Sequence, residues 1–270
     1  MRIEPNNPLA IKLIQITDSH LEAQAGGQLL GLNTDDSLRA VVGLIAEEHP
    51  QVDLLLATGD ISNCGSTSSY RRFQSLTDNL AKHTLWLPGN HDLNDAMGEA
   101  IGNGEELDGS ADIACWKVLT LDSSVEGEVG GHLSAEQLNI LRQELQNSIG
   151  SHVLICLHHH PILIGCDWLD TQRVSNADQF FEVLDAFDHI RGVLWGHIHQ
   201  PIDQRRKGVR LMATPSSCIQ FAPNSAEFKL DRQSPGYRWL TLLPDGAIET
   251  GISRASDFSV TIDVDGSRGY

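Results

Sequence analysis

Five short motifs of this 270-residue chain carry side chains that bind metal ions or transfer protons. An aspartate carboxylate and a neutral imidazole bind divalent cations, an asparagine carbonyl can do so without adding charge, and histidine exchanges a proton near neutral pH. A polar turn or a helix-capping histidine explains any one of these motifs, but explains five of them poorly. Their recurrence therefore favours a shared metal site. The motifs are Asp18-x-His20, Gly59-Asp60, Gly89-Asn90-His91-Asp92, His158-His159-His160 and Gly196-His197-x-His199.

Each motif directly follows an apolar run that is typical of a buried strand. Parallel strands of an α/β fold bring their carboxyl ends to one edge, so we expect the five motifs to meet there. Asp18 and His20 are two residues apart, and in extended backbone their side chains would lie on the same side; His197 and His199 repeat this spacing. The runs span residues 11–16, 52–57, 85–87, 153–157 and 192–195.

The number and type of these side chains indicate two ions rather than one. With one imidazole from the triplet, the motifs supply seven N or O ligands, more than a single ion normally takes. Two ions that share the Asp60 carboxylate and a bridging hydroxide would use all seven. The mixture of imidazole and carboxylate favours iron, manganese, zinc or cobalt over magnesium or calcium. Two divalent cations less two aspartate charges leave about +2, which a hydroxide and a phosphodiester anion would neutralise.

Composition limits the partners and the compartment. Thirty-six acidic residues against nineteen basic ones give a formal net charge of -17, which argues against a nucleic-acid partner. The five cysteines are scattered and never spaced as Cys-x-x-Cys, so free thiols in a reducing cytoplasm are expected. Residues 1–10 lack the apolar core of a signal peptide, and no apolar run reaches membrane-spanning length. We expect a soluble, cytoplasmic protein without a membrane partner; its oligomeric state stays open.

The remaining pattern predicts one domain over residues 1–270, with a core of about 11–253 and a polar tail at 254–270, since no linker or repeat divides the chain. Helices are predicted at 33–48, 66–82 and 134–146, the last opened by a capping box at Ser134. Residues 103–112 are predicted to be a surface loop, and 205–208 a solvated hairpin turn. Further strands are predicted at 115–121, 211–218, within 238–252, and as a short candidate at 260–264.

Together the five motifs resemble the signature of the calcineurin-like metallophosphoesterases. Within that superfamily the chain is most similar to the bacterial class III 3′,5′-cyclic-AMP phosphodiesterases, over about residues 11–253. Leu163 stands where many relatives carry a second proline. This difference affects the expected shape of the loop over the site, not the metal chemistry. The stretches that carry the closer resemblance are 13–18, 158–161, 165–170, 196–200 and 213–221.

The resemblance implies a four-layer α-β-β-α sandwich with two mixed sheets and a two-metal site on one rim. It implies that one ion is held by Asp18, His20 and His199, the other by Asn90, His159 and His197, and that Asp60 bridges them. His159 is chosen from the triplet because the family's ligand stands two residues before the proline; His158 is then buried at the strand end and His160 lies behind the ligands. The implied phosphate contacts are His20, Asp60, Asn90, His91 and His199.

The activity implied by the resemblance is hydrolysis of cyclic AMP to 5′-AMP, which lowers cellular cyclic AMP. A hydroxide between the ions would attack in line, and His91 would protonate the departing 3′ oxygen or hold the phosphoryl group. Trp168 and Phe221 could stack on a purine and Asn176 could hydrogen-bond to it, although packing is the commoner role for such aromatic residues. The alternatives are a broader phosphodiesterase or phosphomonoesterase acting on glycerophosphodiesters or 2′,3′-cyclic nucleotides, and a non-catalytic scaffold, which the filled ligand positions disfavour.

Overall fold

The computed structural model describes residues 1–102, 104–260 and 262. Six α-helices lie within this part of the chain: α1 (Thr34–Glu48), α2 (Thr67–Thr77), α3 (Asn94–Ile101), α4 (Ala135–Asn147), α5 (Asp167–Asp170) and α6 (Ala177–Leu184). The strands are β1 (Arg2–Ile3), β2 (Ile11–Ile16), β3 (Gln28–Leu29), β4 (Leu32–Asn33), β5 (Leu54–Thr58), β6 (Thr84–Leu87), β7 (Ser110–Ile113), β8 (Trp116–Thr120), β9 (His152–Cys156), β10 (Ile190–Trp195), β11 (Ile202–Arg206), β12 (Val209–Ala213), β13 (Gln220–Phe221), β14 (Leu230–Asp231), β15 (Gly236–Leu242) and β16 (Ile248–Arg254). A short 3-10 helix spans Glu105–Leu107.

The strands form two large mixed sheets. One has five strands in the order β16-β15-β2-β5-β6, and its members β2, β5 and β6 run parallel. The other has seven strands in the order β1-β7-β8-β9-β10-β12-β11, in which β8, β9, β10 and β12 run parallel. Two-stranded ribbons are formed by β3 with β4 and by β13 with β14. The mixed character expected for both sheets is confirmed.

Three clusters of buried hydrophobic side chains lie between the layers of the fold. Side chains alternate along each strand, so Leu13 faces the other sheet while its neighbour Ile14 faces α1, α2 and α3. Between the sheets, residues such as Leu56 of β5 and Leu154 of β9 share one cluster. On the far side of the seven-stranded sheet, α4 and α6 cover a third cluster that includes Trp195. Helices, sheet, sheet and helices thus form the expected four-layer sandwich.

The predicted helix starts are confirmed by their caps. The Asn33 side chain accepts a hydrogen bond from the N–H of Asp36, and the hydroxyls of Ser66 and Ser134 accept equivalent bonds in α2 and α4. The capping box at Ser134 is only half formed, because the Gln137 side chain accepts from the N–H of Asp122 instead. Helix α2 ends at Thr77 rather than Lys82, since the Leu80 N–H donates to the Thr77 carbonyl and turns the chain toward β6.

Some elements differ from expectation. The loop predicted at 103–112 contains most of β7, which is short and depends on pairing with β1 and β8 rather than on its own propensity. Helices α3 and α6 were not predicted; in α3 only Met97 is buried, which leaves little helical periodicity to read. Most of the candidate strand at 260–264 lies outside the described residues. None of the described helices is long and apolar enough to cross a membrane.

Candidate metal centre

The carboxyl ends of strands from both sheets bring the motifs together. After β2 and β10, the Asp18 Oδ1 atom lies 3.3 Å from the His199 Nε2 atom. The Nε2 atoms of His20 and His199 are 3.3 Å apart, and the His20 Nε2 atom lies 3.8 Å from Asp60 Oδ2. These side chains are almost completely buried. The structure therefore assembles Asp18, His20 and His199 as one group of ligand atoms, with Asp60 beside it.

A second group adjoins the first through Asp60. Ligand atoms of His158, His159 and His197 lie within 4.8 Å of one another, and the His158 Nε2 atom is 3.2 Å from Asp60 Oδ2. The Asp60 carboxylate thus reaches both groups, as a bridging ligand must. Asn90 follows β6 at the same rim, and its buried Oδ1 atom makes no hydrogen bond.

The backbone at these ligands is left-handed, not extended as the sequence spacing suggested. Such φ angles are uncommon outside glycine and store roughly 1–3 kcal/mol each, so surrounding contacts must hold them. The contacts run between motifs: the Asp18 N–H donates to the Gly59 carbonyl, and the His197 N–H donates to the Asp18 carboxylate. The side chains converge because of these turns. The φ angles are 55° at Asp18, 45° at His20, 49° at Asp60, 64° at His197 and 51° at His199.

Gly196 allows the β10 motif to approach the β2 motif. A Cβ atom at Gly196 would lie 2.1 Å from Thr17 Oγ1 and 2.7 Å from Asp18 Oδ2. We expect Gly196→Ala to displace Asp18 and to lower metal affinity by about 10- to 100-fold, as other changes behind metal ligands do. Metal content after dialysis measures this. Gly98→Ala is the control, because a Cβ atom there meets nothing within 4 Å; equal metal content in both variants would contradict the expected displacement.

Three histidine rings are held by the same kind of contact. The Nδ1–H of His199 donates to the Ile219 carbonyl at 2.8 Å, and the Nδ1–H of His158 donates to the Thr58 carbonyl at 2.8 Å. His91 makes the equivalent bond to Asn63 at 3.0 Å. Because a carbonyl can only accept, Nδ1 carries the proton and Nε2 is the nitrogen that can bind a metal or exchange a proton.

His159 is held differently, and this bears on which residue of the triplet is a ligand. Its Nε2–H donates to the Val129 carbonyl at 3.1 Å, so its Nδ1 accepts from the Ser123 hydroxyl at 2.9 Å. Both ring nitrogens are then engaged with the protein. His158 is fully buried, and its Nε2 atom lies 3.2 Å from the Asp60 carboxylate, which is itself a candidate metal ligand. Ligand atoms of His158, of the expected ligand His159 and of His197 lie within 4.8 Å of one another, so both members of the triplet are candidate ligands.

The donor set fits cations. The buried Asn90 Oδ1 and His197 Nε2 atoms lack hydrogen-bond partners at one rim, whereas buried polar atoms normally have them. Burial by itself lowers the pKa of His158, but the Asp60 and Asp18 carboxylates outweigh it and raise that pKa to about 9. The two carboxylates thus favour a positive charge at this point of the rim.

Asp92 ties the Asn90-His91 turn to the Asp60 loop. Its carboxylate accepts from the N–H groups of Gly89 at 2.9 Å and Ser62 at 3.0 Å. The N–H of His91 in turn donates to Asp60 Oδ1 at 2.9 Å. Burial and, next, the nearby Asp60 raise the pKa of Asp92 to about 6. Asn90, His91 and Asp60 are therefore fixed relative to one another.

The residues considered for purine binding are mostly engaged in packing. Phe221 is only 2% exposed and stacks on the His199 ring, with centroids 4.1 Å apart and planes 10° apart. Trp168 contacts the Phe221 ring in a T-shaped arrangement at 5.0 Å. The Asn176 side chain accepts from the Leu133 N–H and donates to the Leu133 carbonyl. Packing, the alternative stated for the aromatic residues, describes Phe221. The Asn176 amide is engaged with the backbone.

Comparison with known proteins agrees with this geometry. The sequence profile described as calcineurin-like phosphoesterase matches residues 11–201, which include the five motifs. The chain belongs to the calcineurin-like phosphoesterase family. Members of this family use a two-metal site, and the rim cluster contains candidate histidine and aspartate ligands for metal ions.

Similar members of the calcineurin-like phosphoesterase family span nearly the whole chain. The 3′,5′-cyclic adenosine monophosphate phosphodiesterase CpdA of Pseudomonas aeruginosa is 44% identical over 98% of this chain and 97% of its own. CpdA of Escherichia coli (strain K12) is 39% identical over 96% of this chain and 95% of its own. Among solved structures, a dimetal phosphatase from Danio rerio aligns with a TM-score of 0.63 at 16% identity, over 93% of this chain and 100% of that protein, which supports the fold.

Proposed function

We propose that this protein is a metal-dependent phosphodiesterase that hydrolyses 3′,5′-cyclic AMP to 5′-AMP. The observation that carries the proposal is the rim cluster, in which Asp60 reaches two groups of ligand atoms, 3.8 Å from His20 and 3.2 Å from His158. The full-length similarity to proteins named as cyclic-AMP phosphodiesterases supports the choice of substrate.

The ligands fit two divalent transition-metal ions. Iron or manganese is the preferred assignment, and zinc or cobalt is the alternative. Asp18, His20 and His199 would hold one ion, and Asn90, His197 and His158 the other, with Asp60 between them. His158 replaces the expected His159 because its Nε2 atom faces Asp60. When bound, two such ions offset charge on the phosphoryl oxygens and make a water acidic enough to attack phosphorus near neutral pH.

His91 is positioned to protonate the leaving group. Its Nδ1–H is held by the Asn63 carbonyl, and one of its ring nitrogens lies within 4.8 Å of the His20 and Asp60 ligand atoms. In the reaction, the attacking water loses one proton to solvent, and its oxygen bonds to phosphorus as the bond from phosphorus to the 3′ oxygen breaks. Protonated His91 gives its Nε2 proton to the departing 3′ oxygen, which becomes the 3′ hydroxyl of 5′-AMP.

Charge and cysteine state support a small anionic substrate inside a cell. A chain with a net charge of -17 repels anions, so the local positive charge of the metal site would select a compact phosphodiester over a polyanion. All five cysteines are unpaired, which supports a reducing, cytoplasmic compartment and a role in lowering cellular cyclic AMP.

Broader specificity is the second candidate, and one observation favours it. Phe221 and Asn176, two of the three residues considered for purine recognition, are engaged with the protein itself. A phosphodiesterase that recognises mainly the phosphate would also act on 2′,3′-cyclic nucleotides, glycerophosphodiesters or phosphomonoesters.

A substrate panel separates the two candidates. Metal-free protein is reconstituted separately with iron, manganese and zinc, and kcat/KM is measured for cyclic AMP, cyclic GMP, 2′,3′-cyclic AMP, a glycerophosphodiester and a phosphomonoester. We expect cyclic AMP to exceed the phosphomonoester and the glycerophosphodiester by at least about tenfold, a difference in transition-state binding of roughly 1.4 kcal/mol. Comparable values for all five substrates would favour the broader enzyme, and inactivity with every metal would end the proposal.

A further inference from the structure

Residues 216–221, which we call the 216–221 segment, lie between β12 and β14 and are completely or almost completely buried. They belong to a stretch that the sequence resemblance singled out, but none of them supplies a predicted metal ligand. The N–H of Gly236, at the start of β15, donates to the Ser216 carbonyl at 3.0 Å. The segment is therefore anchored in the five-stranded sheet.

One end of the 216–221 segment holds the backbone that carries Asp18 and His20. The Ser216 hydroxyl donates to the Asp18 carbonyl at 2.7 Å. The N–H and the hydroxyl of Ser217 donate to the Thr17 carbonyl at 3.0 and 3.1 Å, respectively. Since Asp18 and His20 both have positive φ, these bonds act where the backbone most needs support.

The other end of the 216–221 segment holds the His199 ring. The Ile219 carbonyl accepts the Nδ1–H of His199 at 2.8 Å, and the Phe221 ring covers one face of the imidazole. The Phe221 ring also contacts those of Trp168 and Phe228, with centroids 5.0 and 5.6 Å away. Both the tautomer and the plane of His199 are thereby fixed.

The second ligand group is oriented by other parts of the chain. His158 is held by the Thr58 carbonyl, and the backbone of His197 by the Asp18 carboxylate. Within the described residues, no hydrogen bond joins the 216–221 segment to Asn90, His158 or His197. The segment thus supports the first group directly and the second only through Asp18, whose carboxylate accepts the His197 N–H.

We propose that the 216–221 segment is the positioning element of a single ion, the one held by Asp18, His20 and His199, and that Ser216 and Phe221 are its main positioning residues. The inference rests on the proposed two-ion site. It implies that the affinities of the two ions can be changed separately from outside the ligand shell. The ion near Asn90 depends instead on the Thr58, Asp92 and His158 contacts.

The test is a titration of metal-free protein with Mn²⁺ alone, read as the number and affinity of bound ions. We expect Ser216→Ala to weaken the binding of one of two ions by about 10- to 100-fold and to affect the other clearly less. The matched control is Ser148→Ala, because this buried hydroxyl also donates to a carbonyl, that of Glu144 at the end of α4. Phe221→Leu should weaken the same ion through His199, and circular dichroism confirms that each variant is folded.

Single-ion backgrounds identify the ion. In Asn90→Ala, the remaining ion is expected at Asp18, His20 and His199, and adding Ser216→Ala should weaken it. In His199→Ala, the remaining ion is expected near Asn90, and adding Ser216→Ala should weaken it clearly less than in Asn90→Ala, because Asp18 contacts this group only through the His197 N–H. Equal effects in both backgrounds, or Ser216→Ala and Phe221→Leu both matching Ser148→Ala, would overturn the inference while leaving a two-ion enzyme intact. Wild-type protein that binds fewer than two ions would overturn the proposed function and this inference with it.

Discussion

His158→Ala is expected to lose one of two ions and at least about 10³-fold in turnover, because several kcal/mol of transition-state stabilisation depends on both ions. His159→Ala is expected to keep both ions. The difference follows from the ring nitrogens: the His158 Nε2 atom lies 3.2 Å from the Asp60 carboxylate, the proposed shared ligand, whereas His159 uses Nδ1 for Ser123 and Nε2 for Val129. A ring that already donates and accepts has no lone pair left for a metal.

The measurement is metal stoichiometry by elemental analysis alongside kcat for the best substrate of the panel. His159→Ala should show a lower melting temperature, since the carbonyl of Val129 and the hydroxyl of Ser123 lose their partner at a cost of about 1–3 kcal/mol. His132→Ala is the matched control, because this exposed ring also contacts a serine hydroxyl, that of Ser175. Loss of an ion from His159→Ala with two ions retained in His158→Ala would restore the assignment made from the sequence.

The meeting of the motifs could be predicted because it depends on local patterns. The apolar runs before Asp18 and Asp60 are long enough to identify buried strands, and parallel strands bring their ends together. Helix caps such as Asn33 are equally local, since the cap and the Asp36 N–H that donates to it are three residues apart. Neither prediction required knowledge of distant contacts.

The conformation of the ligands could not be predicted because it is set by distant contacts. Asp18 has a positive φ that its own sequence does not favour, and the Ser216 hydroxyl that supports it is 198 residues away in the chain. The choice between His158 and His159 depends likewise on Ser123 and Thr58. Counting back from Pro161 gives a position in the sequence, but only the neighbours of each ring show which nitrogen is available.

His91→Ala is expected to lower kcat for cyclic AMP by about 10²- to 10⁴-fold, the usual contribution of a general acid, while both ions remain bound. His91 contacts the Asp60 carboxylate through its backbone N–H, which alanine retains, and its ring packs against His20 in a T-shaped arrangement at 4.9 Å. Its proton is needed only when the 3′ oxygen leaves, so KM should change less than kcat.

An activated diester separates the two roles considered for His91. A nitrophenolate leaves without protonation. If His91 is the general acid, His91→Ala should therefore lower the turnover of a nitrophenyl phosphodiester far less than that of cyclic AMP. If His91 mainly holds the phosphoryl group, both substrates should slow equally, because that contact is the same in each. His132→Ala again serves as the control. Loss of an ion from His91→Ala would make His91 a ligand instead, and leaving-group chemistry would then have to come from water at the site.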